Sequence, residues 1–313
     1  RCARAMGQHF RGLSLIVSLS AAACVPRPGT TKPAGTPAVE GAEVAGLPSG
    51  EDEGSAPPVA SNPALIITSE MISFPAGEFP RGAVGGRPDE QPVRIISLAA
   101  FSIDRTEVDV GAYALCVAAG ACSAAGKGAG CNAARLDRTR HPINCITWAQ
   151  ADAYCKQAGK RLPTEAEWER AARSGEPRPY VWGDTWPPPR GAGNFSDRSS
   201  AQARPYWSPV EGNYDDGFPE TAPVDARSIP TLQGGLHFAG NVAEWVADYY
   251  DAKAYDSAVD KDPTGPKRGH SRVVRGASFG HAKADDLRAT HRSFYDPTET
   301  SQHFGVRCAK SSS

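Results

Sequence analysis

The 313-residue sequence has no excess of one charge: 34 Lys and Arg stand against 35 Asp and Glu, a formal net charge of -1. That balance excludes a global field that would draw nucleic acid or an anionic membrane surface. The apolar run from Leu13 to Ala23 falls well short of the ~20 residues a membrane-spanning helix needs. No two cysteines have the C-x-x-C spacing of a redox or zinc knuckle. No Gly-x-Gly-x-x-Gly follows a strand-like run, and no Walker-type loop occurs. Thiol exchange, dinucleotide binding and phosphate-loop chemistry thus lose their usual signatures. The Gly-Pro-Lys-Arg-Gly run at 265–269 reads as a turn rather than a nucleic-acid stripe.

What is present begins at the N-terminus. Arg1, Arg4 and Arg11 precede the short apolar run, a charge order that reads as an export signal. The run ends Ser20-Ala21-Ala22-Ala23-Cys24, small residues before a cysteine, which resembles a bacterial lipoprotein cleavage box. The expectation is a signal peptide over 1–23, lipidation at Cys24 and a bacterial cell-envelope location, either lipid-anchored or secreted. Residues 24–62 are rich in Pro, Gly, Ala, Thr and Glu, cannot repay the entropy of ordering, and read as a tether. A folded domain is expected over 63–310, with a loose tail from Lys310. With 40% hydrophobic residues the chain can bury a substantial core. Beyond Cys24 lie six cysteines, Cys116, Cys122, Cys131, Cys145, Cys155 and Cys308. An even number in an exported chain points to disulfides, and 15 complete pairings are open.

Strand-like runs are Leu65 to Thr68, Met71 to Phe74, Val93 to Leu98, Phe101 to Ile103, Arg272 to Arg275 and Phe304 to Arg307. Three helices are expected. One covers Val110 to Ala118 with Asp109 as its cap. A second starts at Thr147, where Gln150 completes a capping box, and stops at Gly159. A third starts at Thr164 with Glu167 as the boxed partner, and its Glu169 can pair with Arg173 one turn on. From Tyr180 to about Thr231 no period lasts, yet embedded aromatics argue against disorder. The pattern is α+β with much ordered loop.

Several segments together resemble the formylglycine-generating-enzyme, or sulfatase-modifying-factor, family. They are Met71-Ile-Ser-Phe-Pro-Ala-Gly77, Asp104-Arg-Thr-Glu-Val108, His141-Pro-Ile-Asn-Cys-Ile-Thr-Trp148, Gly159-Lys-Arg-Leu-Pro-Thr-Glu-Ala-Glu-Trp-Glu169, Gly240-Asn-Val-Ala-Glu-Trp245, Arg275-Gly-Ala-Ser-Phe279 and Gly305-Val-Arg-Cys308, in the family's order. The resemblance implies a disulfide-stabilised fold with C-type-lectin-like elements and low regular secondary structure. It also implies a Cys155–Cys308 bond, with the other four cysteines pairing locally.

The resemblance implies a departure in chemistry as well. Family enzymes place two cysteines, five residues apart, shortly after the Arg-Gly-Gly-Ser segment, where they bind copper and activate oxygen against a cysteine of a sulfatase peptide. Counting from Ser278, those positions are His281 and Asp286 here. Thiolates suit Cu(I); imidazole and carboxylate do not replace them. Ser278, His281 and Asp286 remain weak catalytic candidates, with iron or copper as the metal and His237, His291 or His303 as a second imidazole; the plainer reading is solvated loop residues. A structural calcium site is implied by Asn194 with the Phe195 carbonyl and by Asp216 with the Phe218 carbonyl, all hard oxygen ligands. The plainer reading there is a pair of Asx turns. His237 stands where the family's second calcium position has Asn or Asp, so that site is expected empty or altered. Asn241, Glu244, Arg161, Arg275 and Arg307 are expected to satisfy loop backbone or to pair with one another. The functional expectation is binding of a protein, peptide or envelope component, without nucleic acid. The alternative is a metal-dependent oxidoreductase acting on a thiol or peptide.

Overall fold

A computed structural model describes residues 69–256 and 259–312. The expected signal peptide, tether, lipidation at Cys24 and strand at 65–68 lie outside the described residues. Five strands and four helices precede the last four strands in this order: β1 (Met71–Phe74), β2 (Gly77–Arg81), β3 (Arg94–Leu98), β4 (Phe101–Asp104), α1 (Val110–Ala118), α2 (Trp148–Gln157), α3 (Glu165–Arg173), α4 (Arg198–Ala203), β5 (Ala243–Tyr249), β6 (Arg272–Arg275), β7 (Arg292–Tyr295), β8 (Phe304–Gly305) and β9 (Ala309–Ser311).

The strands form three small sheets. One has the order β1-β4-β9, one pairs β2 with β3, and one has the order β7-β6-β5-β8. Met71 to Phe74 pair antiparallel with Asp104 to Phe101, and Phe101 to Ile103 pair with Ser311 to Ala309. The first sheet therefore brings the two ends of the described chain together. Residues read as a loose tail thus supply a strand, because the exposed edge of β4 offers them backbone partners.

The three expected helices form where their caps predict. Asp109 accepts the Ala112 N–H at 2.8 Å. Thr147 with Gln150 and Thr164 with Glu167 make reciprocal capping boxes. Glu169 bonds Arg173 at 2.8 Å, as its spacing predicts. Helix α3 is buried on every side, polar residues included. Its Trp168 sits in a core with Phe238, Val246, Val273 and Ala172. A second core gathers α1 and α2 against Trp245, Phe304 and Val306.

All six described cysteines are in disulfides: Cys116–Cys122, Cys131–Cys145 and Cys155–Cys308. The long bond ties α2 to the residue preceding β9, and the other two are local, as the resemblance implied. Asn241, Glu244 and the arginines take structural roles. Trp168 Nε1 and Arg307 Nε both donate to Glu244 Oε2, each at 2.7 Å. Asn241 Oδ1 accepts the Ala222 N–H at 2.8 Å. Arg161 pairs with Glu167, and Arg275 with Glu165 and Glu169.

Candidate functional site

The segment after β6 turns tightly. Gly276 has φ +79°, and a Cβ there would meet the Trp168 ring at 3.0 Å, so glycine lets the turn lie on the core. Ser278 follows, fully buried, and His281 comes three residues on. The Ser278 N–H donates to His281 Nδ1 at 3.0 Å, and Ser278 Oγ lies 2.9 Å from the same nitrogen. An imidazole nitrogen that accepts an amide proton cannot carry its own. The neutral His281 ring therefore holds its proton on Nε2.

A second imidazole reaches the same hydroxyl. His303 Nδ1 is 2.9 Å from Ser278 Oγ, and the Gly280 N–H donates to that oxygen at 3.3 Å. The hydroxyl has one proton and two imidazoles to serve, so one ring donates and the other accepts. Burial lowers the pKa of both rings: that of His281 falls below the usual range, and that of His303 falls to about 4, with the His281 and Arg204 charges adding to burial. Both are neutral at neutral pH. Gly280 allows the contact, since a Cβ would stand 2.5 Å from His303 Cε1.

An aromatic wall borders this cluster. Trp207 lies 5.9 Å from His303 and 5.8 Å from Phe279, and Phe279 lies 4.8 Å from His303, centroid to centroid. Arg204 sits 4.7 Å over the Trp207 ring, held by Glu220 at 2.7 Å. Tyr206 beside it is 82% exposed.

The structure brings Ser278 and His281 into hydrogen-bond contact, whereas Asp286 lies near enough for its charge to act on His281 but spends its carboxylate on Arg87. Asp286 accepts from Arg87 at 2.8 Å. His291 bonds Ser293 at 3.1 Å, and His237 bonds the Ala226 carbonyl at 3.1 Å. Of the three histidines considered as a second imidazole, His303 alone hydrogen-bonds to Ser278. Among the described residues, no three His, Cys, Asp or Glu side chains converge so as to hold a metal ion.

The segment that carries Asn194 and Asp216 is locally ordered by carboxylates. Asp216 accepts the Phe195 N–H at 3.0 Å through Oδ2 and the Phe218 N–H at 2.9 Å through Oδ1. The second bond is an Asx turn. Asp197 caps α4 and accepts the Asp216 N–H at 2.7 Å. Asn194 donates to the Glu220 carbonyl at 2.8 Å, while its Oδ1 is buried with no partner. Burial, and then the Asp197 charge, push the Asp216 pKa up to about 7. His237 Nδ1 and Glu244 Oε1 are likewise buried without partners.

The model of the sulfatase-modifying factor enzyme 1-like domain matches residues 57–312. The chain belongs to the sulfatase-modifying-factor family. It is 33% identical over 288 residues to a formylglycine-generating enzyme of Streptomyces coelicolor, covering 77% of this chain and 89% of that protein. It is 29% identical over 297 residues to a bovine protein named inactive C-alpha-formylglycine-generating enzyme 2, covering 77% of this chain and 88% of that one. The structure of PvdO from Pseudomonas aeruginosa superposes with a TM-score of 0.61 at 26% identity, covering 81% of this chain and all of that one. The fold is that of the family: α+β, sparse in regular elements, and held here by three disulfides. The family's oxidation chemistry calls for a free thiol pair. Every described cysteine is instead committed to a disulfide.

Proposed function

We propose that this family member is an exported, envelope-associated domain that binds a peptide or protein segment and does not oxidise cysteine to formylglycine. One observation carries the reading: His281 Nδ1 is occupied by the Ser278 amide. That hydrogen bond blocks one ring nitrogen and puts the proton on the other. Metal ligation would need either the amide bond broken or Nε2 deprotonated. The same bond disfavours the alternative, an iron- or copper-dependent oxidoreductase centred on His281. What the region offers is aromatic surface, the exposed Tyr206 and the partly exposed Trp207, whose ring lies against His303 next to His281, and such surface suits an extended chain. Three disulfides fit an oxidising compartment.

The test uses full-length chain recovered from a bacterial membrane fraction. Incubated with copper, oxygen and a Cys-x-Pro-x-Arg peptide, it should leave the peptide thiol intact by mass spectrometry. Conversion of the cysteine to an aldehyde would sink the reading. Recovery of the chain only in the soluble fraction would remove the lipid anchor at Cys24.

Structural calcium belongs to the same proposal. Asn194 Oδ1, the Phe195 and Phe218 carbonyls and Asp216 would hold it, and a buried Asn194 oxygen without a hydrogen-bond donor suits a hard cation. Calcium would also favour the charged form of Asp216, which burial disfavours. EDTA is then expected to lower the melting temperature by several degrees, corresponding to about 2–3 kcal/mol of linkage, and Asp216→Asn should abolish that response. A melting temperature indifferent to EDTA and to added calcium would remove the site.

A further inference from the structure

Helix α1 borders an apolar groove of about 320 Å³ that shares no lining residue with the His281 cluster. Val110, Tyr113 and Ile143 lie buried at its inner side, and Ala114, Ala118 and Ala133 stand exposed at its mouth. Lys127 is the one charged residue in the lining. The walls are fixed. Cys116–Cys122 ties α1 to the loop that carries residues 124–127, and Cys131–Cys145 holds the segment leading into Ala133. The Tyr113 hydroxyl donates to the Ser123 carbonyl at 2.9 Å, and the Gly126 N–H donates to the Cys145 carbonyl at 2.8 Å. A groove held open in this way has little ordering left to lose when it is filled.

The same surface carries a projection. Three residues beyond Ala133 stands Leu136, 99% exposed, at the start of a single 3₁₀ turn, Leu136–Arg138. Asp137 follows it, also exposed, 3.5 Å from both Arg135 and Arg138. Lys127 is exposed as well and, among the described residues, pairs with no acid.

We propose that this surface joins two copies of the chain about a twofold axis, each Leu136 entering the groove of the other copy. A knob and a hole side by side make a patch complementary to itself, which is what an isologous contact requires. Burial of a fully exposed leucine among apolar side chains supplies the attraction. Charge selects the same occupant. Asp137 travels with Leu136, and the groove that receives the leucine has the unpaired Lys127 in its lining, so the dimer gains two Asp137–Lys127 contacts. The contact is small, one leucine and one ion pair from each copy, and belongs at the weak end of interfaces, with a Kd on the order of 100 µM.

The test is sedimentation of the full chain with Cys2 and Cys24 replaced by serine, so that neither an acyl group nor a stray thiol drives association. A monomer–dimer equilibrium is expected, with dimer in the majority at about 500 µM. Leu136→Asp should leave monomer alone over the same range. Lys127→Glu and Asp137→Lys should each weaken self-association about tenfold, because each sets like charges against one another at both contacts. Mixed in equal amounts, these two variants should form a heterodimer as tight as the parent dimer, since each supplies the charge that the other has lost. A structural role for either residue would not give that rescue. All three positions are exposed, and Leu136→Asp keeps the proposal testable if Asp137→Lys disturbs its turn. The proposal is overturned if the parent chain stays monomeric, which would leave the groove to a different partner. It is equally overturned if Leu136→Asp associates like the parent, or if the mixture associates no better than either variant alone. None of these outcomes depends on the peptide assay at His281.

Discussion

Replacing Cys155 and Cys308 together by alanine is expected to be the costliest disulfide change in the chain. The bond closes a loop of 153 residues, against 14 for Cys131–Cys145 and 6 for Cys116–Cys122. In the chain-entropy account, closure of that length restricts the unfolded state by about 5 kcal/mol, against about 3 and about 2 for the shorter loops. Both sulfurs are fully buried, so removal also leaves a void between α2 and the segment leading into β9. The native state has some means to resist. The Arg161 N–H donates to the Ala309 carbonyl at 2.9 Å and the Ala309 N–H returns the bond at 2.7 Å, beside the crosslink. Asp104 Oδ2 holds the Cys308 amide. The alanine pair should therefore fold, with a melting temperature lower by about 10 °C for a domain of this size. The corresponding loss for Cys116 and Cys122 should be less than half as large. Equal losses from the two pairs would show that local strain, and not loop length, governs the disulfides.

What was legible in the sequence was what neighbours in the chain decide. Thr147 with Gln150 and Thr164 with Glu167 are three residues apart, so both helix starts could be read without the fold. Strand β5 was missed because it does not alternate. Buried on both faces, it carries Glu244 and Asp248 among apolar residues, and only distant partners, Arg307 and the Glu165 amide, make those acids tolerable there. Helix α4, Arg198-Ser-Ser-Ala-Gln-Ala203, has no apolar stripe and forms on the strength of its Asp197 cap.

The candidate site divides along the same line. Ser278 and His281 are three residues apart, so their contact is local. That His303 completes the cluster depends on β8 lying parallel to β5, a pairing with no local signature. Asp286 shows the converse. Its spacing from His281 suggested a shared site, but Arg87, 199 residues away in sequence, takes its carboxylate.

The second large effect is expected at Glu165. This residue opens α3, is 1% exposed, and is contacted by three guanidiniums: Arg81 at 2.8 Å, Arg275 at 2.8 Å and Arg292 at 2.7 Å. Burial alone would raise its pKa, but the Arg292, Arg81 and Arg275 charges outweigh that and hold it well below the usual range. The positive end of the helix adds in the same direction. Glu165→Ala removes the carboxylate that Arg81 and Arg292 bond and leaves Arg275 only Glu169, which it already shares with Arg173. Removing one partner from a buried ion network costs about 3–5 kcal/mol, because the surviving charges stay desolvated. Glu165→Gln keeps the shape and loses the charge, and it should fall nearly as far. The pH response follows from sign. A carboxylate with a depressed folded pKa stabilises above its unfolded value and loses that contribution as pH falls. Asp248 runs the other way. Burial, then the Glu165 charge, raises its pKa to about 7, so its stabilising contribution is full in acid and fades as pH rises towards 7. Wild-type stability against denaturant should thus peak between the two transitions. In Glu165→Gln the acid limb should flatten, and the decline attributed to Asp248 should shrink because its like-charged neighbour is gone. A variant as stable as wild type, with an unchanged pH profile, would show that the arginines are compensated from elsewhere.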